Sequence, residues 1–128
     1  MLTSQRGSAP LDAVIGITFL VILCLGAIQV ALTVYAHNAV SASAYEGARA
    51  AAEIGTSSTR GREVAERMVR ATVGGSLENL QVSVSTTHST QGPLVKVAVV
   101  GRHRSLGPMP IVVPVRAVAT SILEVPPT

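Results

Sequence analysis

The sequence predicts an α+β protein. A long N-terminal helix crosses a membrane with its first half and projects beyond it with its outer half. A short helix and a three-stranded antiparallel sheet pack on the projecting part. Three observations carry this. The 22 residues Ala13–Val34 are apolar, 13 of them Leu, Ile, Val or Phe, and no Asp, Glu, Lys or Arg stands between Asp12 and Glu46. Beyond Val34 the helical pattern continues, but its recurring residues become small. Past a Gly/Ser/Thr break, short amphipathic segments take over, first with helical and then with alternating periodicity.

Spanning a bilayer takes ~20 apolar residues, so Ala13–Val34 is long enough. A cleaved secretory signal has an apolar core of only ~7–15 residues closed by small residues. Ala42-Ser43-Ala44 offers small residues but lies well past the run, so a retained span is the reading. The helix is expected to begin at Pro10, suited to a first turn. Asp12 then falls in that turn at the lipid boundary, where a carboxylate favours the helix dipole. Arg6 is the one charged side chain before Asp12, and positive charge favours the cytoplasmic side. The N-terminus is expected inside and the C-terminus outside.

On the outer half, small residues recur every four positions. Ala36, Val40, Ala44, Ala48 and Ala52 form one row, and Ala39, Ser43, Gly47 and Ala51 the next. Such rows let a neighbouring backbone come close, which makes Ala44, Gly47, Ala48 and Ala52 the candidate packing residues. Glu46, Arg49 and Glu53 are spaced to pair along a solvated face. Gly55–Thr59 breaks the helix, and Ser58 or Thr59 is placed to cap a second one. That helix is expected over Arg60–Val73, with Val64, Met68, Ala71 and Thr72 as its apolar face and Gly74-Gly75 as its stop.

Three strands are expected at Leu80–Ser85, Leu94–Val100 and within Ile111–Val125. The first alternates strictly, as a half-buried strand does. Pro114 cannot donate to a central ladder, so it marks an edge or a late strand start. Turn-rich links fill Thr86–Pro93 and Gly101–Pro110, which places the basic triplet Arg102-His103-Arg104 in a loop. The expected division is a leader at 1–7, a membrane-crossing and projecting helix at 8–53, and an extracytoplasmic α+β head at 54–128. A head of that size has little core of its own, so its sheet needs the small-residue stripe as cover.

Composition narrows the function. Phe19, Tyr35 and Tyr45 are the aromatic residues, too few for the stacking platforms that hold single-stranded nucleic acid. Cys24 is the single cysteine, so no intrachain disulfide forms, and within the apolar run it acts as a soft apolar side chain. His37, His88 and His103 lack metal-ligand spacing. No phosphate-binding loop or nucleophile elbow occurs. The net charge of +3 is spread thinly. The expectation is a protein that is not an enzyme and uses no metal or cofactor, with the lipid bilayer and other proteins as its partners.

The order Arg6-Gly7-Ser8, an acid at Asp12, a 22-residue apolar run, Asn38-Ala39 and then Glu46-Gly47-Ala48-Arg49-Ala50-Ala51 resembles the TadE-like pilins. These are minor pilins or pseudopilins of tight-adherence (Flp, type IVb) pilus systems. The resemblance covers residues 6–53, with Glu46, Gly47, Ala48 and Arg49 as its family motif. It is loose over the head, where Val118–Glu124 is similar in character to the family's last strand. It implies a pilin-like lollipop fold, a short leader cut between Gly7 and Ser8 by a membrane aspartic (prepilin) peptidase, and assembly with other pilin-like subunits and the pilus machinery. It also implies an acid five residues after the cut. The family usually has Glu there and this chain has Asp12, one methylene shorter, and Pro10 is a further departure. The competing reading is an uncleaved bitopic membrane anchor whose head binds a partner in a cell-envelope complex.

Overall fold

The computed structural model describes residues 8–53, 57–104 and 111–123. Its first helix, α1, runs unbroken over Ser8–Ala52, 45 residues, or about 67 Å at 1.5 Å per residue. Hydroxyl side chains along it donate to the carbonyl one turn back: Thr18 to Val14, Thr33 to Gln29, Ser41 to His37 and Ser43 to Ala39. These bonds satisfy polar groups within the helix itself. Because the helix is already formed at Ser8, Asp12 stands beyond the first turn rather than in it.

The second helix, α2, spans Ser58–Val73. Its N-cap is Ser57, not Ser58 or Thr59, and the Ser57 side chain makes no capping hydrogen bond. Gly74 ends the helix at φ 59°, its N–H donating to the Arg70 carbonyl. That left-handed φ is easy for glycine. The expected apolar face is corrected: Gly61, Ala65 and Val69 are the buried row, while Met68, Ala71 and Thr72 are exposed. A row of Gly, Ala and Val buries well because it admits a second backbone, although it scores poorly as hydrophobic surface.

The sheet has the order β1-β2-β3 and is antiparallel throughout. A short 3₁₀ turn over Gly74–Ser76 leads into β1, Leu77–Ser89; β2 is Gly92–Arg104 and β3 is Val112–Ile122. The first two are much longer than expected. The Thr86–Pro93 link shrinks to Thr90-Gln91, with Gly92 at φ 122° beside it. Gly101–Arg104 is strand rather than loop, in register with Val112–Val115. The remainder of that link, 105–110, lies outside the described residues. Pro114 does sit on an edge strand, opposite Arg102.

Near its start β1 carries a register shift between Glu78 and Gln81, where Asn79 has φ 53°. Leu77 and Leu80, three residues apart, would face opposite sides of a regular strand. The irregularity lets both pack on the core, followed by Val82 and Val84. Asparagine is among the side chains that tolerate this backbone region.

The architecture is two layers, with α1 lying over β2 and β3 and α2 over β1. The core between them is almost entirely Val and Ala. Val40, Val69, Val97, Val99 and Val115 are its largest fully buried apolar side chains.

Candidate functional site

The long helix is divided by environment. From Leu11 to Val34 its large apolar side chains are all exposed, and none of its most apolar 18-residue window is buried in the protein. From Ala36 onward the buried positions are Ala36, Ala39, Val40, Ser43, Ala44, Gly47, Ala48, Ala51 and Ala52. These are the two small-residue rows read from the sequence. The change of company occurs at Tyr35, whose hydroxyl donates to the Thr72 carbonyl at 3.4 Å.

Within the buried half, Gly47 occupies the junction of three elements. A Cβ there would stand 2.8 Å from the Ala65 Cβ, 2.9 Å from the Gly61 carbonyl oxygen and 3.5 Å from a Val97 methyl. Opposite it, a Cβ on Gly61 would collide with the Ala51 Cβ and lie 2.7 Å from the Gly47 carbonyl oxygen. The α1–α2 contact is therefore backbone against backbone. Ala44, Ala48 and Ala52 are buried alongside. Gly61 was missed in the sequence because it stands between Arg60 and Arg62. The signal that would have found it is the spacing Gly61, Ala65, Val69, matching the small-residue rows of α1.

Glu46 is partly buried and Arg49 and Glu53 are exposed. Among the described residues none of the three pairs with another. Among the described residues the pairs are Arg62–Glu66 at 3.9 Å and Arg104–Glu78 at 3.2 Å, both exposed and of small worth. At the other end of α1, Ser8 and Asp12 are exposed, and Asp12 makes no ion pair among the described residues. Gly7, the other side of the expected cut, lies outside the described residues, as does the rest of the leader.

His103 is the second residue that sequence reading misplaced. It sits on β2, 5% exposed, and neither ring nitrogen has a partner among the described residues. It borders a cavity of ≈ 140 Å³ between Tyr35 and Ala36 of α1, Val73 at the end of α2 and Ser76 just past it. His37 and His88 lie on other elements, one on α1 and one near the far end of β1.

An apolar half open to its surroundings, joined without a break to a half clasped by a small head, is the arrangement on which the comparison with known proteins bears. Residues 7–49 match the TadE-like protein family. The TadE-like segment is nearly coextensive with α1 and stops before the head. It implies a Tad pilus-associated protein. No curated protein and no solved structure matches the chain.

Proposed function

We propose that the protein is a structural subunit, a minor pilin or pseudopilin of a Tad (Flp, type IVb) pilus system, assembled through the apolar half of α1. The supporting observation is the coincidence of the TadE-like match with one continuous helix, half exposed and apolar, half packed under the head. In this reading the N-terminus is cytoplasmic, a prepilin peptidase cuts between Gly7 and Ser8, and the head lies on the extracytoplasmic side. The partners are other pilin-like subunits and the assembly machinery. The subunit carries no catalysis and no cofactor.

Asp12 has a physical role in such an assembly. A carboxylate at the edge of lipid is costly unless it is paired or near water. Cutting frees an α-amine on Ser8, and that amine on a neighbouring subunit neutralises Asp12. A second reading, the uncut bitopic anchor, is favoured by Pro10 and by Asp in place of Glu.

One experiment separates them: immunoblots for precursor and mature forms beside a sheared-fibre fraction, with mass spectrometry of the mature N-terminus. Gly7→Val leaves full-length precursor, because the small residue gives the peptidase access to the backbone. Asp12→Asn is cut but assembles poorly, and Asp12→Glu assembles at least as well as wild type. A mature protein that begins at Met1 overturns the pilin reading in favour of the anchor. If Asp12 is only a solvated acid near the start of the helix, assembly barely responds to Asn.

A further inference from the structure

The head does not begin where the apolar run ends. The start of β3 reaches back along α1, and Ile111 and Val113 face Gly26, Val30 and Val34 across an apolar cleft of ≈ 380 Å³. A second cleft of ≈ 350 Å³ continues upward, between Thr33, Val34 and His37 of α1 and Val113, Pro114 and Val115. The head thus overlaps the segment that crosses the membrane.

The overlap has to be reconciled with Asp12. From Asp12 to Gly26 is ~21 Å of helix at 1.5 Å per residue. A hydrocarbon core of ~30 Å reaches ~20 residues on from Asp12, near Leu32. With Asp12 at one boundary, the level of Gly26 to Leu32 lies inside the opposite leaflet, together with whatever packs beside it. Raising the helix until the cleft clears the leaflet draws Asp12 ~9 Å into hydrocarbon, where a carboxylate is expensive. Immersing the end of the head avoids that cost.

The chemistry at that end suits immersion. Ile111 is 49% exposed and Val112 39%. Arg104 and Arg102, both exposed, stand opposite Val112 and Pro114 in the ladder. Glu78, which meets Arg104, is the acid beside them. Tyr35, exposed on α1 just past the run, is the kind of side chain that settles at a membrane–water interface.

We infer that the head is seated in the bilayer rather than held above it. Ile111–Val113 insert into the leaflet on the head's side, the cleft against α1 takes a phospholipid acyl chain, and Arg102 and Arg104 engage the headgroup phosphates. Apolar insertion supported by cations is how interfacial elements bind anionic lipid. The inference goes beyond the pilin reading and applies equally to an uncut anchor.

The test uses the full chain in a Cys24→Ser background, reconstituted into phosphatidylcholine–phosphatidylglycerol vesicles. An environment-sensitive fluorophore is attached at Ile111→Cys, at Val112→Cys as a second reporter, and at Thr87→Cys at the far end of the β1–β2 hairpin. Acyl-chain doxyl lipids are the quenchers. Quenching at 111 and 112 is expected to exceed that at 87 several-fold. Adding Arg102→Gln with Arg104→Gln is expected to reduce it in vesicles containing phosphatidylglycerol but not in phosphatidylcholine alone. Equal quenching at all three positions overturns the inference. So does a blue-shifted but unquenched probe at 111, which means that a second copy of the chain covers this surface. Quenching indifferent to the arginines overturns the headgroup assignment. None of these readouts requires cutting or fibre assembly, so the result is separable from the fate of the pilin reading.

Discussion

Gly61 and Gly47 let two helices touch along their backbones, and that contact is unforgiving because the atoms in the way cannot rotate aside. A methyl added to Gly61 meets the Ala51 Cβ and the Gly47 carbonyl oxygen, so α2 has to move off α1. Gly61→Ala is expected to destabilise the head by about 1–3 kcal/mol, the usual cost of overpacking a tight core. Ala48→Leu, at a position 1% exposed, is expected to cost a similar amount. Gly75→Ala is the control, because a Cβ there has no neighbour within 4 Å and its φ is not left-handed. Thermal unfolding of the detergent-solubilised full chain, followed by protease resistance of the head, ranks the three. Gly61→Ala as stable as Gly75→Ala would mean that the helices separate without loss.

Among the elements, α1 was legible from the sequence and α2 only in extent. In α1 the apolar run and the two rows of small residues each keep one helical period over several turns, and the buried positions are those rows. In α2 the large apolar side chains Met68 and Val64 lie off the buried row, and burial follows Gly61 and Ala65, whose value lies in how little space they take. β1 and β2 run longer than the sequence suggests, in part because Thr, Ser and His at 86–89 look like turn residues and still pair with Gly92–Val95, whereas β3 falls within the expected Ile111–Val125. The register shift at Asn79 had no separate signal in the sequence. The burial of His103 was hidden by its flanking arginines, which alternate to the other side of β2. Since Val95, Val97, Val99 and Val115 are covered largely by α1, residues 54–128 expressed alone are expected to be poorly folded. A cooperative thermal transition with dispersed amide signals from that fragment would contradict this.

For the whole molecule the first expectation is a single pass, with the N-terminus inside. Protease added to spheroplasts is expected to digest the head; a protected head with an accessible N-terminus would reverse the orientation. A second expectation follows from the continuity of α1 between its two environments. An unbroken helix fixes azimuth as well as distance, so whatever reads the lipid-side end also dictates which way the head faces. Each residue turns the helix by about 100° and advances it by 1.5 Å. One alanine inserted between Leu20 and Val21, below the cleft, therefore swings Asp12 about 100° around the axis relative to the head, whereas seven bring it back to within roughly 20° at about 10 Å of added length. Assembly measured across insertions of one to seven residues is expected to oscillate with the helical repeat, and a steady decline with length would show that the two ends are not in phase. If that oscillation is seen, the helix serves as a torsional key, its apolar half setting the compass bearing of the surface that the head shows to its neighbours.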